Sequence, residues 1–229
     1  ILGNIHYSNC IPRNFFAMDS LINQIESLKT LEVDFEDLDV SADSSWEDRY
    51  AALKSLIKSD AGDLYKLREL REALNDNNTA VRYLAANSLK FLHCDGVVDA
   101  LLFALTDSYE WIRIRAVEGL GDRQAVEAVE PFMQYLDKDS NPKVRATLVK
   151  HLGRFGELKL IPLIASYLDD DDARVRANAV EGLGFYPTEF VADILRPHKD
   201  DSNARIRANV AVALSTGEAS VSRGAIDKL

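Results

Sequence analysis

Six arginines and six aspartates recur along the chain at spacings that suit repeated ion pairing. The arginines stand 31 to 33 residues apart, and an aspartate precedes each of them by six residues. The pairs are Asp43 and Arg49, Asp76 and Arg82, Asp107 and Arg113, Asp139 and Arg145, Asp170 and Arg176, and Asp201 and Arg207. Such pairs contribute little when exposed but are costly to break singly when partly buried. Because every repeat has both residues, we interpret them as a structural ladder that joins repeats, not as a catalytic device.

Residue types typical of catalysis do not assemble into a known motif. Cys10 and Cys94 form no CxxC pair, and the sequence contains no nucleophile elbow, P-loop or HExxH segment. His151 stands six residues after its arginine, where the other five repeats have a small residue, and we expect it to be packed and hydrogen-bonded. The sequence therefore predicts no catalytic residue, no metal site and no cofactor, which favours a function other than catalysis.

The residues around each arginine follow the period of an α-helix. A leucine stands seven residues after every arginine, and a small residue usually stands three and six residues after it. This pattern predicts a helix that we call the second helix of each repeat, with the aspartate as its N-cap or first-turn residue. Gly121, Gly153 and Gly184 follow the leucine in three repeats, which predicts C-terminal caps.

An apolar-periodic segment upstream of each aspartate predicts the first helix of the same repeat. These segments span residues 18–30, 62–74, 96–105, 125–136, 157–168 and 188–198. Pro131 and Pro162 both lie eight residues before their aspartates and predict a kink at a fixed place. The sequence thus predicts an all-α, right-handed α-solenoid (α-α superhelix) of about six helical-hairpin repeats.

The repeats define the predicted domain boundaries. The solenoid spans residues 18–216 and contains an acidic insertion at 31–45, and residues 1–17 form an N-terminal extension. Residues 217–229 are either the start of a further repeat or a C-terminal tail. Since the chain begins at Ile1 without a methionine, we expect it to be a piece of a longer protein.

Three segments carry a family resemblance: DDDARVRANAVEGLG at 170–184, YEWIRIRAVEGLG at 109–121 and DSNPKVRATLVKHLG at 139–153. They resemble the short bacterial HEAT repeat first associated with phycobilisome lyases, over about residues 18–215. The resemblance implies stacked antiparallel helix pairs, with the first helices outside and the second helices lining a concave surface. It predicts function poorly, because such repeats serve scaffolds, regulators, bilin lyase subunits and a few enzymes.

Charge is unevenly distributed in a chain whose net charge is -10. Residues 1–110 carry 19 acidic and 10 basic side chains, and residues 32–48 include eight acids and no base. This balance argues against general nucleic-acid binding. No stretch approaches the roughly 20 apolar residues of a membrane span, and two cysteines are too few for a disulfide framework, so we expect a soluble, cytoplasmic protein.

The positions at which the repeats differ carry the functional prediction. We call the positions two residues before each ladder arginine, and two, five and nine residues after it, the inner-face positions, because they lie opposite the core. In repeats three to six these positions contain more basic than acidic residues in a protein that is acidic overall, and we predict a partner-binding surface there. Its residues are Trp111, Arg115, Lys143, Lys150, Arg154, Arg174, Asn178, Phe185 and Arg205. Trp111 is either an outward anchor or packed on Leu84, and the alternative for the whole surface is a set of solvated helix faces.

The leading functional hypothesis is a non-enzymatic interaction scaffold or regulatory adaptor whose concave face binds an acidic protein or peptide. The alternative, which rests on the family resemblance alone, is a bilin-lyase-like subunit that assists covalent chromophore attachment. A third hypothesis is phosphate or nucleic-acid binding along the basic positions. The acidic residues 31–40 form a solvated loop, a short strand or a segment that docks on the basic face as an internal competitor. The sequence leaves the partner and the oligomeric state open.

Overall fold

The computed structural model describes residues 46–226, with side chains as far as residue 215. Eleven α-helices and no strand occur in this part of the chain. They are α1 (Trp46–Lys58), α2 (Asp63–Ala73), α3 (Thr79–Leu89), α4 (Val97–Ala104), α5 (Glu110–Asp122), α6 (Val129–Lys138), α7 (Pro142–Arg154), α8 (Ile161–Ser166), α9 (Ala173–Leu183), α10 (Thr188–Leu195) and α11 (Ala204–Ile226). The chain is an all-α solenoid, as the repeat predicts.

First and second helices alternate along the chain as predicted. The second helices are α1, α3, α5, α7, α9 and α11, and the first helices of repeats two to six are α2, α4, α6, α8 and α10. The predicted first helix at 18–30, the extension at 1–17 and the insertion at 31–45 lie outside the described residues. Residues 217–226 continue α11 without a break, so the predicted boundary at residue 216 falls inside a helix.

The second helices form the continuous layer of the solenoid. Each second helix packs against the second helix of the next repeat, from α1 through α11, whereas each first helix packs mainly on the second helix of its own repeat. Because repeats approach one another most closely through the second helices, we call the side of the stack that these helices line the inner side. Such arrays are stabilised by contacts between neighbouring repeats.

The leucine that follows each arginine by seven residues fills the core of the stack. Leu89, Leu120, Leu152 and Leu183 are completely buried, and so are the small residues Ala85, Ala116 and Ala179 that precede three of them by four positions. In α1 the equivalent Leu56 is only half-buried and Ala52 is exposed. The helical period of the sequence therefore identifies the buried side of each second helix.

The predicted ladder is present in the described residues, where the arginines of repeats one to five each reach the aspartate of the following repeat. Arg82 donates from Nε to Asp107 at 2.8 Å, and Arg113 donates to Asp139 at 2.7 Å. The equivalent Nε of Arg176 lies 3.7 Å from Asp201. The Nη1 group of Arg113 also donates to the carbonyl oxygens of residues 107 and 108, in the turn before its own helix. In repeats two to five the guanidinium thus fixes one turn and joins it to the next repeat.

The prediction that the ladder aspartates cap the second helices is wrong. The N-cap is the residue two positions later, and Asn78, Asn141 and Asp172 accept a hydrogen bond there from a backbone N–H of the first turn. The aspartate itself accepts the N–H of that cap residue, as Asp139 does from Asn141 at 2.9 Å. Asp side chains readily make this local turn, which leaves the carboxylate free to face the arginine as well.

The glycines that follow the leucines are not left-handed caps. Gly121 and Gly153 lie inside α5 and α7, and Gly184 caps α9 with a right-handed φ of -64°. A Cβ added at Gly153 would lie 2.1 Å from the carbonyl oxygen of Gly182 in the next repeat. The position is small because two helix backbones nearly touch there, and not because of backbone conformation.

Gly153→Ala should lower the free energy of unfolding by about 1–3 kcal/mol, the usual cost of overpacking a well-packed core. The added methyl group meets backbone atoms of Gly182, which no side-chain rotation can move away. Urea denaturation measures the effect, and Gly62→Ala is the matched control because its added Cβ meets nothing within 4 Å. Equal stability of the two variants would show that α7 and α9 separate at no cost.

Pro131 and Pro162 lie in the first turns of α6 and α8, not in helix interiors. A 3-10 turn precedes each helix, at Val126–Ala128 and at Leu158–Leu160. The break in each first helix is therefore this change from 3-10 to α geometry, just upstream of the proline. A proline in a first turn removes an N–H group that the helix leaves unbonded in any case.

Candidate partner-binding surface

Trp111 and Lys143 stand at the same inner-face position of successive repeats. The ammonium of Lys143 lies 4.6 Å from the centroid of the Trp111 ring, a cation–π contact. Trp111 is half-buried and also packs against the hydrophobic core. The predicted anchor is therefore partly covered by the predicted cation beside it, and the two side chains form one unit.

Arg115 reaches back to the preceding repeat. Its Nε donates to the hydroxyl of Tyr83 at 3.0 Å, and its Nη1 donates to Glu118 at 2.6 Å. Burial raises the pKa of Tyr83, while the positive charge of Arg115 opposes that rise. Sequence reasoning did not identify Tyr83, although a tyrosine directly follows the arginine only in the first two repeats, at Tyr50 and Tyr83.

Asn178 belongs to a group of inner-face side chains in repeats four to six that bind one another. Its amide nitrogen donates to the carbonyl oxygen of Ala146 at 2.9 Å, and its amide oxygen accepts from Arg205 at 3.1 Å. The ammonium of Lys150 pairs with Glu181 at 2.7 Å. These contacts join three repeats, so the residues help to stack the solenoid as well as line its face.

Arg154 lies at the end of α7 and contacts both neighbouring repeats. Its guanidinium pairs with Asp122 at 2.5 Å and lies 5.9 Å from the centroid of the Phe185 ring. Phe185 keeps about half of its surface exposed. This part of the surface therefore offers the accessible ring of Phe185. The cation nearest to that ring, Arg154, is already paired with Asp122.

Arg174 is an exposed but paired cation at the start of α9, the second helix of repeat five. Its side chain is 51% exposed and forms two hydrogen bonds with Asp172, at 2.7 and 3.0 Å. This hydrogen bonding lowers the pKa of Asp172 to about 2. An exposed pair of this kind contributes little to stability, so a carboxylate of a partner could replace Asp172 at small cost.

Much of the predicted positive charge is neutralised within the protein. Arg115, Lys150, Arg154, Arg174 and Arg205 each have an acidic side chain within 4 Å. The inner face of repeat two is not exposed as expected, because Ala80, Leu84 and Asn87 are buried among bulky neighbours. Exposed inner-face groups lie in repeats five and six, at Arg174, Phe185, Arg205 and Val212, and also in repeat one, at Glu47, Ala51 and Lys58.

His151 is packed as predicted, but its Nδ1 atom has no hydrogen-bond partner among the described residues. It fills the space over Gly121, where an added Cβ would lie 2.2 Å from Nδ1. Burial is the main reason that the pKa of His151 falls to about 4. The large side chain of His151 fits at a position that is small in other repeats because the residue opposite it, in the preceding repeat, is Gly121.

A surface depression between the turn that joins α3 to α4 and the turn that follows α5 brings together Cys94, Arg123 and Glu127. Burial raises the pKa of the Cys94 thiol, which disfavours the reactive thiolate. The guanidinium of Arg123 is occupied, since it donates to the carbonyl oxygens of Leu89 and Lys90 at the end of α3.

Within residues 46–226, no cluster of His, Cys, Asp and Glu side chains has the arrangement of a metal site, and no helix is both long and apolar enough to span a membrane.

The family model described as HEAT repeats matches residues 38–121, 67–137 and 129–215 of the sequence. No curated protein matches the sequence. Two solved structures resemble the fold with 16% sequence identity. An engineered protein has a TM-score of 0.54, with 89% of this chain and 97% of that chain covered. A designed armadillo repeat protein in complex with the peptide (KR)4 has a TM-score of 0.56, with 80% and 97% covered.

Proposed function

The chain belongs to the HEAT-repeat family, and from that premise we propose that it is a non-enzymatic interaction scaffold or regulatory adaptor. Its inner face would hold a protein or peptide partner with acidic side chains. A fold of this kind does not specify a function by itself, so the proposal rests on the side chains of the inner face. The observation that carries it is that both cationic and apolar groups are exposed at inner-face positions of repeats five and six, at Arg174, Phe185 and Arg205.

Charge favours an acidic partner even after internal pairing is counted. The inner-face positions of repeats three to six contain six basic and three acidic side chains. The basic ones are Arg115, Lys143, Lys150, Arg154, Arg174 and Arg205, and the acidic ones are Glu118, Asp122 and Glu181. Arginine side chains can hold carboxylates through two parallel hydrogen bonds, and the Trp111 and Phe185 rings offer apolar contact to the residues between the carboxylates.

Fluorescence anisotropy with a fluorescein-labelled peptide of alternating Glu and Leu tests this proposal. We expect the double variant Arg174→Glu, Arg205→Glu to bind the peptide about tenfold more weakly than the wild type, a change of about 1.4 kcal/mol. Trp111→Ala should weaken binding through loss of the apolar contact. High salt should weaken wild-type binding, since exposed charges are screened.

Arg196→Glu is the matched control because Arg196 is similarly exposed but follows a first helix, away from the inner face. This variant should bind the peptide as the wild type does. A wild type that binds an Arg and Lys peptide as tightly as the acidic one would contradict the proposal. Loss of affinity in the control equal to that in the double variant would do so too.

A further inference from the structure

Lys143 differs from the other inner-face cations of repeats three to six in its closest partner. Those other cations each have an acidic side chain within 4 Å, and they are Arg115, Lys150, Arg154, Arg174 and Arg205. Among the described residues no such pair includes Lys143, whose ammonium instead lies 4.6 Å from the centroid of the Trp111 ring. A carboxylate of a partner can therefore approach Lys143 without displacing a carboxylate of this chain.

Lys143 and Trp111 lie in the middle of the stack. Trp111 belongs to α5 and Lys143 to α7, and these two helices pack directly against each other. The layer of second helices continues on both sides, with α3 packed on α5 and α9 packed on α7. Both side chains keep part of their surface exposed. Their accessibility is therefore a property of the inner face and not of an end of the stack.

Lys143 also stands where a helix favours negative charge. It is the second residue of α7, and the first turn of that helix contains no acidic side chain. The same position of α9 and α11 is occupied by Arg174 and Arg205, and those first turns contain no acidic side chain either. A cation at the N-terminal end of a helix opposes the helix dipole. Three successive helices thus place a cation where their own dipoles attract an anion, which favours an acidic partner along this row.

We propose that Lys143 binds an acidic side chain of the partner that stands next to an apolar one, and that Trp111 receives the apolar side chain. This assignment rests on the proposed function, because it gives roles to two residues of the same inner face. In the unbound protein the cation–π contact holds the ammonium over the indole ring. A partner carboxylate draws the ammonium away through a charge-assisted hydrogen bond, and the neighbouring apolar side chain then covers the ring. The inner face therefore selects an acidic residue with a large apolar neighbour.

The fluorescence of Trp111 reports this exchange, because the chain has two tryptophans and the variant Trp46→Phe retains only Trp111. This variant is titrated with an unlabelled peptide of alternating Glu and Leu and with one of alternating Glu and Ser. The Glu and Leu peptide should shift the emission to shorter wavelengths, since a leucine side chain replaces the ammonium and water at the ring. The Glu and Ser peptide carries the same charge without the apolar side chain and should cause no such shift. Shifts of equal size with both peptides would overturn the proposal.

Lys143→Met removes the charge and keeps most of the length of the side chain. Fluorescence anisotropy should show that this variant binds the labelled Glu and Leu peptide about tenfold more weakly than the wild type, as expected for one lost charge-assisted contact. Lys159→Met is the matched control, because the side chain of Lys159 is 72% exposed and lies in the 3-10 turn beyond the other end of α7. The control should bind as the wild type does. Circular dichroism of both variants checks that they are folded.

Failure of this assignment is distinguishable from failure of the proposed function. The proposed function stands if the wild type binds the acidic peptide and the double variant Arg174→Glu, Arg205→Glu loses affinity. In that case, unchanged affinity of Lys143→Met, or an equal loss in Lys159→Met, would overturn the role of Lys143 alone. A wild type without affinity for either acidic peptide would contradict the proposed function and this assignment together.

Discussion

Asp139→Ala should lower the free energy of unfolding by about 3–5 kcal/mol, the usual cost of removing one partner of a buried ion pair. The side chain of Asp139 is 3% exposed and that of Arg113 is 13% exposed, which makes this the most buried pair of the ladder. Asp139 accepts hydrogen bonds from Nε and Nη2 of Arg113 and from the backbone N–H of Asn141. The substitution leaves the guanidinium and that N–H group without their partner.

Urea denaturation compares this variant with Asp193→Ala, whose side chain is 94% exposed and pairs with Arg196 on the surface. The control should change stability by no more than about 0.5 kcal/mol. Replacing both partners, as Arg113→Met with Asp139→Leu, should recover part of the loss because no unpaired charge remains. A loss below about 1 kcal/mol in Asp139→Ala would mean that water reaches the arginine freely, and the ladder would then not be a main source of stability.

His151 should make the protein less stable as the pH falls from about 6.5 to about 4. Burial is the main cause that lowers its pKa in the folded protein from 6.5 to about 4. Between those values the unfolded chain binds a proton that the folded chain does not, so stability rises with pH across this window and is independent of His151 above it. A difference of this size corresponds to about 3 kcal/mol. Asp122 and Glu181 oppose the shift, while Lys150 and Arg154 add to it.

His151→Gln removes the titration and keeps most of the side-chain volume. Many carboxylates also titrate at low pH, so the informative quantity is the difference in free energy of unfolding between the wild type and this variant. That difference should be constant near neutral pH and change by about 3 kcal/mol, in favour of the variant, by pH 4. Parallel pH profiles for the two proteins would show that the pKa of His151 is the same in the folded and unfolded states, contrary to the shift that burial predicts.

The helices were predictable because their signals are local. The spacing from each arginine to Leu89, Leu120, Leu152 or Leu183 is a helical period, and such a period defines a buried side without reference to any other segment. The caps were less predictable. Asp139 could satisfy either the helix N-terminus or the turn before it, and only the backbone geometry shows that Asn141 is the cap.

The candidate surface was predictable as a set of positions but not as a set of free charges. Arg115 and Lys150 stand at predicted inner-face positions, yet Tyr83 and Glu181 already bind them. Those partners come from neighbouring repeats, 31 or 32 residues away. Which side chains meet over that distance depends on the stagger of adjacent helices, which a periodic pattern does not contain.

The sequence by itself determined the repeat, the order of its helices and the identity of the ladder residues, because these follow from short-range period and from self-similarity. Tertiary structure alone decided that Gly153 is required for backbone contact with Gly182, that His151 fits over Gly121, and that most inner-face cations are paired. Each of these depends on how one repeat is placed on the next. Close packing makes that placement specific to fractions of an ångström, a resolution that residue spacing cannot supply.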